Sequence, residues 1–252
     1  MRVRREPPPF RVLEVRDLEV LTPRMTRVRL GGPALAGFQL DLPAASVRLL
    51  IPSPGSEELI MPTWTGNEFL LADGTRPIIR TFTPRTFDAE RLELALDVVI
   101  HDGGAVSGWL DDAAPGDPAA VSGPGRGYTI DPNAPQYLLA GDETAIPAIG
   151  QLLEVLPEPV PVDVVVEITD PAARLDLLEG AAASMRWAGL PAGQPTGDAL
   201  VAAIGEVELE PGANVWAAGE AAAMHRIRRH CFEERGLPRS DVTVRGYWKA
   251  GR

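Results

Sequence analysis

The chain has 252 residues, long for a single core and comfortable for two domains, and its 45% hydrophobic and 23% charged residues with 25 Gly and 25 Pro describe a turn-rich globular protein. A formal net charge of −11 weighs against nucleic acid as a partner, and no run approaches the roughly 20 apolar residues of a membrane span. The single cysteine, Cys231, excludes a disulfide framework and a cluster held by several thiolates, so redox chemistry would need a bound cofactor.

From about residue 10 to residue 100 the sequence consists of short alternating or apolar runs broken by Gly, Pro and Asp: "RVLEVRDLEVL", "MTRVRLGG", "SVRLLIP", "RPIIRTFT" and "RLELALDVVIH". This rhythm predicts an antiparallel barrel or sandwich. An apolar strand, a His-Asp-Gly-Gly turn and a short helix over 105–113 follow in "VVIHDGGAVSGWLDDAAPGD". After the turn-rich "GPGRGYTIDPNAP" the rhythm becomes an apolar run, a turn and a helical pattern. "QYLLAG" precedes a helix over 144–156, "VPVDVVVEI" precedes "PAARLDLLEG", "NVWAAG" precedes "EAAAMHRIRRHCFEERG", and "DVTVRGYW" closes. Strands alternating with helices predict parallel βαβ units in a doubly wound sheet. The expected domains are therefore 1–132, all β, and 133–252, α/β.

Two stretches carry candidate chemistry. In "RTFTPR", Arg80, Thr81, Phe82, Thr83 and Arg85 combine an aromatic face, hydroxyls and two guanidiniums, groups suited to a ligand with a ring system and phosphates. Alternation puts Arg80 and Phe82 on one face and Thr81, Thr83 and Arg85 on the other, unless Pro84 ends the pairing. A core strand with solvated arginines has the same pattern. In "HDGGAVS", the Gly103-Gly104 turn feeds a helix whose first N–H groups, with Ser107, form an anion site, although an ordinary helix start looks similar.

Together with "SGPGRGY", "AGDETAIPAI", "WAAGEAAAM" and "GYWKAG", these stretches resemble, in order and spacing, the motifs of the siderophore-interacting proteins, ferric-siderophore reductases within the ferredoxin-reductase-like superfamily. The resemblance implies a six-stranded flavin-binding β-barrel followed by an α/β domain like those that bind nicotinamide dinucleotides. It implies that Arg80, Thr81, Phe82, Thr83 and Arg85 hold FAD, with His101, Gly103, Gly104 and Ser107 at its diphosphate. Phe82 stands where the family usually has tyrosine. Asp142, Thr144 and Glu220 fall where related reductases meet NADH or NADPH, although the acidic pair Asp142 and Glu143 would repel a phosphate and either could equally cap the helix; Glu167 suits a ribose diol, and Arg174 a 2′-phosphate. Arg48, Arg126, Lys249 and Trp248 match the basic pocket for a ferric siderophore; Lys249 is the only lysine beside 23 arginines. No side chain is needed as acid or base, and no resident metal is expected. The implied activity is electron transfer from NAD(P)H through FAD to ferric siderophores in a cytoplasmic monomer. A general flavin reductase and a flavin-free ferric-chelate carrier are the alternatives.

Overall fold

A computed structural model of the chain describes residues 7–177 and 183–251. The chain divides into two compact units, Met1–Tyr128 and Thr129–Arg252.

In the first unit the strands are β1 (Phe10–Thr22), β2 (Met25–Gly31), β3 (Val47–Ile51), β4 (Thr63–Trp64), β5 (Phe69–Leu70), β6 (Ile78–Phe82), β7 (Pro84–Asp88), β8 (Glu93–Val99) and β9 (Pro118–Ser122), with helix α1 (Ala105–Asp112) between β8 and β9. Seven of them form one antiparallel sheet in the order β6-β3-β9-β1-β2-β8-β7, and β4 and β5 make a separate hairpin. The two edge strands, β6 and β7, are consecutive pieces of chain separated only by Thr83. The chain therefore joins the two edges of the sheet at that residue, which makes the sheet barrel-like, with seven strands where the resemblance implied six. Pro84 causes the change of partner: without an N–H it cannot continue β6's ladder to β3, and the chain pairs instead with β8, Pro84 opposite Leu96.

Alternate residues of the strands, among them Leu13, Val15, Val28, Leu30, Val47, Leu49, Leu94 and Leu96, make the interior, joined by Val106 and Leu110 of α1. Burying each such side chain contributes about 1.5–3 kcal/mol. Asp97, on β8, is also buried, paired bidentately with Arg27 of β2 at 2.6 and 2.9 Å.

The second unit holds β10 (Tyr137–Asp142), α2 (Ile146–Val155), β11 (Val162–Ile168), β12 (Ala183–Gly189), α3 (Asp198–Gly205), β13 (Asn214–Glu220), α4 (Ala221–Arg229), a π-helical turn (His230–Glu234) and β14 (Val242–Trp248). All five strands are parallel, in the order β12-β11-β10-β13-β14. The chain winds outward from β10 to β12 and then restarts at β13 on β10's other side. The switch point of this doubly wound sheet thus lies between the carboxyl ends of β10 and β13. Residues of α3 and α4 pack with Leu138, Ala140, Val215 and Ala217 in one core.

One predicted helix does not form. "PAARLDLLEG" begins with a one-turn 3-10 helix, Pro171–Ala173, and 174–177 are irregular; 178–180 lie outside the described residues. Leu175 and Leu177 are half-buried two apart, an extended rather than a helical spacing.

Candidate functional site

The β8–α1 turn shows how the local sequence builds an anion cradle. Gly103 adopts φ +71°, and Gly104 is the N-cap of α1. A Cβ on Gly104 would lie 2.7 Å from His101 Cε1 and 2.9 Å from Ser107 Oγ. Ser107 is buried, and its Oγ accepts the backbone N–H of His101 at 3.1 Å, which closes the turn. The His101 ring is exposed, its Nδ1 3.2 Å from the Asp102 carbonyl. Among the described residues no side chain caps α1, and no acid stands in its first turn. The first N–H groups of this helix remain available to an anion, at the positive end of its dipole.

The "RTFTPR" strand shares a core with that helix. Phe82 is half-buried and packs on the cluster containing Val106 and Leu110. Arg80 is exposed, and its guanidinium donates to the carbonyl of Ile79 at 3.0 Å; Thr81 is exposed, Thr83 buried and Arg85 half-buried. Thr81 pairs across the sheet with Arg48, and Arg48 with Ser122, so a residue expected at the flavin and one expected at the substrate stand side by side on one face. Arg126 is exposed in the loop after β9. An uncapped helix start, Gly104 where a Cβ would crowd His101 and Ser107, and an exposed arginine fit the diphosphate of FAD.

In the second unit the expected cofactor residues are occupied with one another. Asp142 is 7% exposed. Its Oδ1 accepts the Thr144 backbone N–H at 2.9 Å and the Thr144 hydroxyl at 2.5 Å. Its Oδ2 accepts the Glu220 N–H and the Trp248 indole N–H, each at 2.8 Å. Burial pushes the Asp142 carboxyl above the usual carboxylate range, against the opposing effect of these bonds. Glu220 caps α4 by accepting from Ala222 and Ala223 at 2.6 and 2.9 Å, and takes the Ala250 N–H at 3.3 Å. Burial raises its pKa, but the three backbone bonds and the field of Arg226 outweigh it and hold the carboxyl below its ordinary value.

Glu167, read from sequence as a ribose ligand, is buried at the end of β11 and accepts the Gly197 and Leu200 N–H groups at 2.7 and 2.9 Å. It fastens the start of α3, a contact more than 30 residues away that the sequence does not announce. Arg174 is exposed beyond the 3-10 turn. Trp248, 39% exposed, ends β14, and exposed Lys249 follows it. The sequence reading missed the Trp248–Asp142 bond; the one hint was a tryptophan beside the only lysine.

Comparison with known proteins bears on both units. Residues 14–128 match the model of the siderophore-interacting FAD-binding domain, and residues 134–251 that of the siderophore-interacting protein. The crystal structure of a siderophore utilization protein from T. fusca is 39% identical with TM-score 0.84, covering 100% of this chain and 97% of that one. The siderophore-interacting protein SipS from Aeromonas hydrophila is 31% identical with TM-score 0.80, covering 97% and 93%. The NADPH-dependent ferric-chelate reductase of Escherichia coli strain K12 is 32% identical over 248 residues, 96% of this chain and 93% of that protein. FAD is thus the cofactor of the first unit, and the chain belongs to the siderophore-interacting protein family.

Proposed function

We propose that the chain is a flavin-dependent reductase of ferric siderophores that releases their iron as Fe(II). The observation that carries this is the contrast between helix starts. In the second unit the starts at Thr144, α3 and α4 are filled by the protein's own carboxylates, Asp142, Glu167 and Glu220, whereas α1 is left without a cap. A cofactor with a diphosphate has its place at α1. There the N–H groups of the first turn would hold the diphosphate, Arg80 would neutralise it, and Phe82, Thr81 and Thr83 would flank the rest. Phe82 keeps an aromatic face without a hydroxyl, so its part is packing.

Bound FAD supplies the exchange between a two-electron donor and a one-electron acceptor. Two ferric centres are reduced for each pair of electrons delivered. Hard oxygen ligands hold Fe(II) less tightly than Fe(III), so reduction is release, and no side chain of the chain has to move a proton to the iron. Arg48, Arg126 and Lys249 supply positive charge to an anionic chelate, and Trp248 an aromatic edge. In this reading the protein works as a cytoplasmic monomer with NADH or NADPH as donor. Among the described residues no helix is long and apolar enough to cross a membrane.

The test is the visible spectrum of the purified, FAD-loaded protein without oxygen. Flavin bands that bleach on reduction and return when a ferric siderophore is added, with Fe(II) trapped by a ferrous chelator, are expected. A protein that takes up no FAD, or whose reduced flavin is not reoxidised by any ferric chelate, would falsify the proposal.

A further inference from the structure

The switch point of the α/β unit is where this kind of sheet ordinarily receives a dinucleotide, through three devices: free N–H groups at a helix start, a glycine that lets the diphosphate approach, and an acid at the next strand's end for the ribose. All three are present in this chain, and all three are used internally. The N–H groups of Thr144, Glu220, Ala222 and Ala223 already donate to the carboxylates of Asp142 and Glu220 at 2.6–2.9 Å. Gly219, with φ +152°, gives its open space to Asp142, whose Oδ2 lies 2.5 Å from where a Cβ would stand. The acid, Glu167, is fastened to α3. The carboxylates of Asp142 and Glu220 occupy the positions of a ligand's phosphates, and the tail is drawn over them by the Trp248 indole and the Ala250 N–H. A diphosphate entering here would lose its N–H partners and meet two buried negative charges, each costly to strand without a partner.

We infer that the switch-point crevice accepts no dinucleotide diphosphate, and that a nicotinamide donor is recognised through its nicotinamide ribotide alone, the adenylate half contributing nothing. This rests on the donor part of the proposed function. A dinucleotide enzyme that makes several charge-assisted bonds to the diphosphate loses a hundredfold or more when the adenylate is removed. Here reduced nicotinamide mononucleotide, NADH and NADPH are expected to bleach the flavin of the FAD-loaded protein with kcat/KM values within about threefold of one another.

The independent measurement is titration calorimetry of ADP-ribose and its 2′-phosphate into the FAD-loaded protein. No binding up to millimolar concentration is expected. Saturable heat at the switch point, abolished by a bulky Gly219→Val, or a preference for NADH over the mononucleotide above about thirtyfold, overturns the inference. If no reduced nicotinamide bleaches the flavin while dithionite-reduced protein still passes electrons to ferric chelates, the nicotinamide donor of the proposed function fails, and the calorimetry alone decides the crevice.

Discussion

The bond between the Trp248 indole N–H and Asp142 Oδ2 ties the end of β14 to the end of β10, two strands away, and its strength can be isolated. Trp248→Phe removes the N–H and keeps an aromatic ring at a position already 39% exposed, so little packing is lost. A hydrogen bond to a charged group is worth about 1.5–3 kcal/mol net. Water can partly replace this donor at a half-open site, which places the expected loss at the low end, about 1.5 kcal/mol. Asp142→Asn supplies the control. To keep Thr144's two donors on its carbonyl oxygen, the new amide must turn its NH2 toward the Glu220 and Trp248 N–H groups, so the indole already lacks an acceptor. In that background Trp248→Phe should cost under about 0.5 kcal/mol, giving a coupling of about 1 kcal/mol or more. The assay is urea unfolding at neutral pH of the four proteins of the cycle. Equal costs of Trp248→Phe in both backgrounds would refute the bond as a clamp on the tail.

Three further outcomes are expected. Arg80→Ala should leave stability within about 0.5 kcal/mol, because the side chain is exposed and, among the described residues, bonded only to the carbonyl beside it, while the FAD dissociation constant, read by flavin fluorescence quenching, rises about 10–100-fold. Gly141→Ala should cost about 3 kcal/mol in urea unfolding, since the new Cβ would lie 2.3 Å from Ala145 Cβ and 2.4 Å from the Ala218 carbonyl; adding Ala145→Gly relieves only the first clash and restores part. Burial, opposed by the N–H bonds from Leu200 and Gly197, raises the Glu167 pKa, so the folded state favours its proton and its contribution to stability is largest in acid and falls as pH rises through the folded pKa. The stability of wild type minus that of Glu167→Gln should therefore decline from about pH 4 toward neutrality, and a difference that grows over that range contradicts the stated burial.

What could be read from the sequence was whatever local patterning controls. The strands beginning at Phe10, Val47 and Glu93 send alternate residues, such as Leu13 and Val15, Val47 and Leu49, Leu94 and Leu96, into one core, and α1, α2 and α4 follow apolar runs that end in a turn. β9, "PAAVS", and β12, "ASMRWAG", were not read as strands. The first is five residues of small side chains, and in the second only the neighbouring strand β11 makes Arg186 and Trp187 tolerable. The helix expected over "PAARLDLLEG" shows the reverse error, because an apolar spacing that suits a helix says nothing about whether a surface exists for it to cover. At the site, the glycines and hydroxyls of "HDGGAVS" were legible because their function is local. Asp142 was legible as a cap for the turn it precedes, where it accepts the Thr144 N–H, but its bonds to Glu220 and Trp248 and the roles of Glu167 and Glu220 were not, because a carboxylate at the end of a strand looks the same whether it faces a ligand or a distant N–H.

The net charge of −11 conceals an uneven distribution of charge along the second unit. Residues 129–220 carry fifteen carboxylates against two arginines, while 221–252 carry seven arginines and one lysine against three carboxylates, a net of +5. β14 is one of the two edge strands, so the basic segment lies along one side of the sheet rather than being scattered over it. Four of the fifteen carboxylates, Asp142, Glu143, Glu167 and Glu220, are buried against backbone N–H groups and project little field outward. On the basic side Arg228 reaches the Val244 carbonyl, Arg239 stacks on Phe232, and neither makes an ion pair among the described residues. The potential that an approaching anion meets is set by such nearby charges within about 8–10 Å, not by the total. Asp142 thus contributes in two ways: it withholds the crevice from outside phosphates, and by holding Trp248 it fixes where the basic edge ends and Lys249 begins.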